Sequence, residues 1–208
     1  MATTTPNYGW PVPTSTDYVK DGATAIEALG DAIDATVFGL GSTGLTLINT
    51  TTFSAVASQA VNNVFSATYD DYRIMLDITT GTSDAIVYMK MRTGGIDNSL
   101  LYYYAFPGFT SANAANNSNS FNVITGWDLI EIDSATSDLY SFNGDIMKPF
   151  LAKPTKLIGQ KASTTPTGTP YAQSGSAVHN VSTSFPSFNL IASAGNISGT
   201  VKVYGYRK

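Results

Sequence analysis

The stretch "YDDYRIMLDI", residues 69–78, places an apolar side chain at every second position from Tyr72 onward. Successive residues of a β-strand point to opposite faces of a sheet, so this period of two predicts a strand with one buried face. The side chains on that predicted face are Tyr72, Ile74, Leu76 and Ile78. A face of this kind must pack against a second layer, which indicates a mainly β fold.

The same pattern continues from Leu45 to the C-terminus. Short alternating runs are bounded by clusters of Gly, Ser, Asn and Asp, without intervening helices. The predicted strands are Thr46–Phe53, Ala60–Phe65, Asp71–Thr79, Ile86–Arg92, Tyr102–Phe109, Ser120–Glu131, Leu139–Met147, Thr155–Ala162, Ala177–Phe185, Phe188–Ile191 and Gly199–Tyr206. Polar loops are predicted at Ala112–Ser120 and Ser163–Ser176, and loops of that length are often functional. We predict an antiparallel, jelly-roll-like β-sandwich over residues 45–208.

Composition excludes several classes of protein. A chain of 208 residues suits one main domain with an appendage. Its charged fraction of 12% and net charge of −4 leave no basic stripe for a nucleic acid. The absence of cysteine excludes disulfides and thiolate metal sites. No signal-peptide pattern and no apolar run of about 18 residues occur, so we expect neither secretion by that route nor membrane insertion.

The front of the chain, residues 1–16, contains three prolines, Pro6, Pro11 and Pro13. Each proline fixes its φ angle and removes a backbone donor, which predicts an extended segment that lies on a partner. Aromatic side chains commonly anchor interfaces by filling pockets. The candidate anchoring residues are Tyr8, Trp10, Pro11 and Pro13.

Residues 17–40 carry a helical pattern that Asp17 can cap. Apolar residues recur every seven positions at Val19, Ile26, Ile33 and Leu40, with Leu29 at the intermediate position and Thr36 as a weaker match there. An isolated helix of this length is marginal in water, so it must pack either on its own domain or in a self-associating bundle. The glycines Gly39, Gly41 and Gly44 favour a bundle that is separated from the body by a flexible joint.

Residues with catalytic or metal-binding chemistry are few. The single histidine, His179, has no metal-ligand spacing around it, and no GxSxG motif accompanies it, so we predict a structural or surface role. The segment "WDLIEIDSATSD", residues 127–138, offers Asp128, Glu131, Asp133 and Asp138, with Glu131 and Asp133 expected on one strand face. None has a diagnostic spacing, and we predict that they are solvated. The sequence therefore predicts no catalytic residue, no metal and no cofactor.

The stretch "LLYYYAFPGF", residues 100–109, concentrates aromatic side chains. Alternation should turn about half of them away from the core of their own domain. Outward rings can stack on sugars or be buried by a neighbouring subunit. A core or subunit contact is favoured over a glycan platform. The candidate glycan or subunit contacts are Tyr102, Tyr104, Phe106 and Phe109.

Two regions resemble a known group of proteins. The stretch "PNYGWPVPTSTDYVKDGATAIEALGDAID", residues 6–34, resembles the N-terminal attachment segment of small virion proteins of tailed bacteriophages, of the tail-fibre, minor-tail and head-fibre types. The stretches "FSATYDDYRIMLDI", residues 65–78, and "SGTVKVYGYRK", residues 198–208, are similar to the β-sandwich ends of the same group. The resemblance implies an anchor on the particle, a short helical bundle and an outer β-domain, commonly in a homotrimer.

The residues and the resemblance together predict a non-enzymatic phage surface protein, assembled in the host cytoplasm and placed on the virion. As a fibre, it would bind host-surface glycans through residues 45–208. The alternative is a capsid decoration protein that strengthens the shell. A depolymerase is disfavoured because no paired acid site is evident. The heptad pattern is compatible with a trimer and leaves dimers and tetramers open.

Overall fold

The computed structural model describes residues 3–14, 18–40, 44–111, 115–123, 125–134, 139–165 and 168–207. The chain divides into two compact units, Met1–Gly44 and Leu45–Lys208. The first unit contains strands β1 (Thr3–Thr4) and β2 (Pro11–Val12), a 3-10 turn at Val19–Asp21 and helix α1 (Gly22–Leu40). All other strands belong to the second unit.

The front segment forms a small hairpin, although the sequence predicts an extended chain. Strands β1 and β2 are antiparallel, with Thr3 opposite Val12. The Thr5 N–H donates to the Trp10 carbonyl at 2.9 Å, and the Gly9 N–H donates to the Thr5 carbonyl at 3.0 Å. Gly9 adopts a φ of +67°, a conformation that glycine reaches at little cost. Pro6 therefore lies in a turn, and Pro11 lies in a strand that pairs within the segment itself.

The hairpin packs on the helix of its own chain. Strand β2 contacts α1. The Trp10 indole Nε1 donates to the Thr36 hydroxyl at 2.9 Å, and that hydroxyl donates to the Ala32 carbonyl at 2.8 Å. The helix begins at Gly22, whereas Asp17, the predicted cap, lies outside the described residues. Of the predicted joint, Gly39 lies within α1 and Gly41 lies outside the described residues.

The second unit is an antiparallel β-sandwich, as the sequence predicts. Its strands are β3 (Leu45–Val56), β4 (Ser58–Val61), β5 (Asp71–Gly81), β6 (Ala85–Thr93), β7 (Ile96–Asp97), β8 (Tyr102–Thr110), β9 (Ala115–Val123), β10 (Trp127–Ile132), β11 (Tyr140–Met147), β12 (Thr155–Thr164), β13 (Pro170–His179), β14 (Ser187–Ala192) and β15 (Ile197–Tyr206). The large sheet has eight strands in the order β3-β15-β5-β11-β12-β13-β8-β9. The small sheet has five strands, in the order β10-β6-β14-β4 with β7 beside β6.

The core lies between the two sheets. The large sheet contributes the predicted row of β5, and all four of its side chains are fully buried: Tyr72, Ile74, Leu76 and Ile78. The small sheet contributes Val87, Met89 and Met91 from β6, which are also fully buried. Burial of these faces follows from the period of two, and it supplies the main stabilisation of the sandwich.

The strand predicted over Ser120–Glu131 is wrong as a single element. Residues 115–123 form β9 in the large sheet, and residues 127–132 form β10 in the small sheet. Gly126 stands at the change of sheet with a φ of +114°, and a Cβ atom there would lie 2.4 Å from the Met89 carbonyl oxygen. Only glycine fits this approach, so the chain turns there from one sheet to the other.

The loop predicted over Ser163–Ser176 is also wrong. Residues 155–164 and 170–179 form the hairpin of β12 and β13, in which Thr164 lies opposite Pro170. Strand β13 therefore begins well before the predicted start at Ala177 and ends at His179. The other predicted loop, Ala112–Ser120, contributes residues 115–120 to β9, whereas residues 112–114 lie outside the described residues.

Candidate functional site

The outer face of the large sheet carries a surface concavity. Strand register aligns Ser141, Ala162, Ala172, Phe109 and Ala115 across five neighbouring strands. A second row, one step along the strands, contains Asn143, Gln160 and Ser174. These two rows line a concavity of about 650 Å³, which we call the outer groove. Small side chains at its centre leave room for a ligand between Phe109 and the amides.

The exposed side chains of the outer groove are uncharged. Phe109 is 63% exposed, and Asn143, Gln160 and Ser174 are exposed beside it. Lys161 also lines the groove, but it is buried and its ammonium group bonds to Asp128 instead. The groove therefore offers one aromatic face together with neutral amide and hydroxyl groups.

A paired charge borders the groove on the same sheet face. The Arg73 Nε and Nη2 atoms each donate to one carboxylate oxygen of Asp145 at 2.8 Å, and the Tyr206 hydroxyl donates to Asp145 Oδ1 at 2.7 Å. Burial alone would raise the pKa of Asp145, but the bonds from Arg73 and Tyr206 hold it below its ordinary value. The two charges neutralise each other, so this border adds no net charge to the face.

The predicted aromatic contacts divide between the two faces of β8. Tyr102 and Phe106 are fully buried in the core of their own domain, which is part of the favoured alternative, so neither side chain is available to contact a glycan or a neighbouring subunit. Tyr104 shares their face and is half-buried, and burial raises its pKa to about 12. The pairing of Tyr102 with His179 sets this register, which turns Phe109 outward. Phe109 is the predicted contact that is well placed to meet a ligand.

A buried ion pair joins the two sheets. Lys161 of β12 belongs to the large sheet and Asp128 of β10 to the small sheet, and Lys161 Nζ lies 2.8 Å from Asp128 Oδ1. Their side chains are 0% and 4% exposed. The prediction that the acidic residues of this segment are solvated is wrong for Asp128 and Asp133, which are buried. Asp138 lies outside the described residues.

A β-bulge brings a second carboxyl group toward this pair. In β10, Asp128 lies opposite Tyr88, Ile130 opposite Val87, and Glu131 opposite Ile86. The register shift at this point inserts one extra residue, so Asp128 and Glu131 share a face that regular alternation would deny them. The predicted pairing of Glu131 with Asp133 on a strand face does not form, because β10 ends at Ile132.

The ion pair is buried beside an aromatic ring. The Phe106 ring centroid lies 5.4 Å from Lys161 Nζ. The Tyr171 hydroxyl accepts from the Glu131 N–H at 3.3 Å, and the Ser163 hydroxyl donates to the Glu131 carbonyl. Burial raises the pKa of Glu131, the charge of Lys161 opposes that rise, and the charge of Asp128 adds to it. The strand face shared with Asp128 and the bonds with Tyr171 and Ser163 place Glu131 in the same cluster.

His179 is a core residue, which is one of its two predicted roles. Its ring stacks on Tyr102 at 4.2 Å between centroids, and its Nε2 atom lies 3.0 Å from Asn98 Oδ1. Burial lowers its pKa to about 4, and a hydrogen bond with the Leu100 backbone opposes that shift. Within the described part of the chain, no group of three or more His, Cys, Asp or Glu side chains could hold a metal ion.

The predicted oligomerisation residues differ in exposure. Val19 and Ile26 are 97% and 65% exposed, whereas Leu29 and Ile33 are half-buried. The placement of the Leu40 side chain is not among those described. Val37, one helical turn beyond Ile33, is exposed as well. The helix therefore keeps an apolar stripe that its own hairpin does not cover.

The predicted anchoring residues belong to the hairpin. Tyr8 is exposed and stacks on Trp10 with 5.2 Å between ring centroids. Trp10, Pro11 and Pro13 are half-buried, and both prolines line a shallow concavity against α1. Over the ranges that the structure describes, no helix is both long enough and apolar enough to cross a membrane.

Comparisons of the chain with models of protein families, with curated proteins and with solved structures gave no match.

Sequence reasoning missed the cluster of Asp128, Lys161 and Glu131, although a signal was present. In "TKLIGQKAST", residues 155–164, Lys161 falls on the same parity as Leu157, which is the apolar face of the strand. A lysine at such a position requires a buried partner. Which carboxylate would meet it could not be read from the sequence, because Asp128 comes from a strand in the other sheet.

Proposed function

We propose that this chain is a non-enzymatic, fibre-like surface protein of a tailed-phage virion. In this proposal, residues 1–16 attach it to the particle, and the sandwich of residues 45–208 binds a host-surface glycan. The observation that supports the binding role is the outer groove, with its exposed Phe109 ring beside neutral amides. The attachment role rests on the resemblance of residues 6–34 to phage attachment segments.

The chemistry of the outer groove suits an uncharged sugar chain. A pyranose ring presents C–H groups that pack on an aromatic face, and its hydroxyls exchange hydrogen bonds with amides. Phe109 supplies the aromatic face, and Asn143 and Gln160 supply amide donors and acceptors. A phosphate or carboxylate ligand would require an unpaired cation, but Arg73 is held by Asp145 and Lys161 by Asp128. Neutral glycans are therefore the proposed ligand class.

The exposed stripe of α1 supports self-association. Ile26 and Val37 of α1, together with Val19 of the 3-10 turn before it, leave apolar surface in water, and burying each side chain would gain about 1.5–3 kcal/mol. Copies of the same helix would cover this stripe by packing side by side. The proposed assembly is a homotrimer, in agreement with the resemblance, and it would present three outer grooves to a glycan-bearing surface.

The binding role predicts a loss of affinity when the Phe109 ring is removed. The full-length chain should bind neutral glycans on an array, and Phe109→Ala should weaken that binding about tenfold because the stacking contact is lost. Ile96→Ala is the matched control, since Ile96 is an exposed apolar residue in the small sheet. A wild-type chain that binds no glycan, or equal binding by Phe109→Ala, would contradict the binding role.

The location on the particle separates the fibre role from the alternative of capsid decoration. Antibody raised against the full-length chain should label the tail of intact particles in electron micrographs. Label spread over the capsid would contradict the fibre role and favour shell decoration. Particles without label at either place would contradict both roles and the attachment function of residues 1–16.

A further inference from the structure

The side chains of Lys161 and Asp128 place an amine nitrogen next to a carboxyl group, as two groups that could react with each other. The nitrogen and the carboxylate oxygen are 2.8 Å apart, and both side chains are buried. They lie 33 positions apart in the chain and belong to different sheets. Buried charges are costly to dehydrate even when paired, so joining the two groups as a neutral amide would remove that cost.

We propose that Lys161 and Asp128 join through an intramolecular amide bond, with Glu131 as the proton carrier. The bond links Nζ of Lys161 to Cγ of Asp128. It is a covalent modification of the chain by its own side chains, and it needs no oxidant, metal or second protein.

The reaction balances in atoms and charge. One proton moves from the ammonium group of Lys161 to the Asp128 carboxylate, which turns the ion pair into a neutral amine and a neutral acid. The amine nitrogen then attacks Cγ, the nitrogen loses a second proton, and the Cγ–OH bond breaks as that oxygen is protonated. The products are one amide and one water molecule, and no net charge is gained or lost.

The fold supplies the two conditions that this condensation requires. Holding the reacting groups in contact is equivalent to an effective concentration of about 10⁵–10⁸ M, which offsets the disadvantage of forming an amide in water. The enclosing Phe106 ring and the buried position of the pair exclude the bulk water that would hydrolyse the product. Both conditions come from the packing of β12 against β10.

Glu131 is the group in position to carry the proton. The bulge of β10 puts it on the same strand face as Asp128, and Tyr171 and Ser163 hold its backbone. It can accept the proton that the attacking nitrogen loses and return it to the departing hydroxyl.

The bond would tie the large sheet to the small sheet. Among the described strands, β10 lies at the edge of the small sheet and pairs with β6. A covalent link from Asp128 to Lys161 would prevent that edge from separating during heating, denaturation or proteolysis. Such a link suits a protein on the outside of a particle, although the bond itself does not depend on the proposed function.

The test is the intact mass of the full-length chain under denaturing conditions. Loss of one water predicts a mass about 18 Da below that of the sequence, and peptide fragmentation should show Lys161 joined to Asp128. Lys161→Arg should restore the full sequence mass. Asp145→Asn, which alters the exposed ion pair instead, should keep the loss. A folded wild-type chain with its full mass, or a water loss that maps elsewhere, would overturn the proposal.

The role of Glu131 has its own readout. Glu131→Gln should leave most of the chain uncoupled after folding, whereas wild type should be fully coupled. Asp128→Asn keeps an electrophile of the same shape and should lose ammonia, about 17 Da, if the bond still forms. Complete coupling in Glu131→Gln would refute the proton-carrier role. Should that variant fail to fold, the role is decided by the rate at which refolding wild type forms the bond, measured at several pH values. That rate should follow the titration of a single carboxyl group.

Discussion

Replacing Lys161 by methionine is expected to lower the free energy of unfolding by about 3–5 kcal/mol or more. The substitution keeps most of the side-chain volume but removes the Lys161 nitrogen, which lies 2.8 Å from Asp128 Oδ1 in the structure. A buried carboxylate then remains with neither an ammonium partner nor the proposed amide bond. Dehydrating a carboxylate is costly, and only a close cation repays that cost. Urea unfolding followed by tryptophan fluorescence would measure the change, because Trp127 is fully buried next to Asp128.

Two further variants isolate the cause of this loss. The double variant Asp128→Leu/Lys161→Met should be more stable than Lys161→Met alone, because no buried charge remains. Neither variant can form the amide bond, so the difference between them measures the unpaired carboxylate alone. Arg73→Met, which breaks an ion pair with side chains 40% and 30% exposed, should cost no more than about 1 kcal/mol. Equal losses for Lys161→Met and Arg73→Met would contradict this account of the core.

Acidification from pH 6.5 to pH 4 is expected to cost the sandwich about 3 kcal/mol through His179 alone. Burial lowers the folded-state pKa of this histidine from 6.5 to about 4. Within that window the unfolded chain binds a proton at His179 and the folded chain does not. The contribution of His179 is therefore fully present above pH 6.5 and is lost as the pH falls toward 4.

The variant His179→Phe separates this effect from the titration of carboxylates. Phenylalanine can keep the ring stack on Tyr102, and Asn98 Oδ1 still accepts from the Leu100 N–H at 3.1 Å. Unfolding free energies at several pH values between 7.5 and 4 should fall more steeply for wild type than for the variant. Glu131, with its raised pKa, acts in the opposite direction in both proteins, so it cancels in the difference. Parallel curves would show that His179 is charged in the folded protein or is not buried.

Local periodicity was sufficient to predict the strands that have one apolar face. The row from Tyr72 to Ile78 is buried as predicted, because alternation depends only on neighbouring residues and on the pleat of a strand. It failed for Ser163–Ser176, where small polar residues occupy the outer face of a β-hairpin. The composition of this segment is typical of a loop. Its residues form parts of β12 and β13 because they pair with neighbouring strands.

The candidate sites were predictable only in part. Phe109 was among the predicted contacts, but its separation from Tyr102 and Phe106 depends on the register of β8 against β13. The front segment was predicted to be extended, and the bond from Trp10 to Thr36 that holds it on the helix joins residues 26 positions apart. Contacts between residues so far apart in the sequence produce no periodic pattern from which they could be predicted.

Alternation and turn residues are properties of short segments, and they were enough to determine a mainly β protein with a helix near its front. The sheet that each strand joins, the change of sheet at Gly126, and the meeting of Lys161 with Asp128 were decided by tertiary structure. The physical reason is that burial and pairing energies depend on which distant surfaces come together. A polar side chain on an apolar strand face reveals that it needs a partner, and the fold decides which residue that partner is.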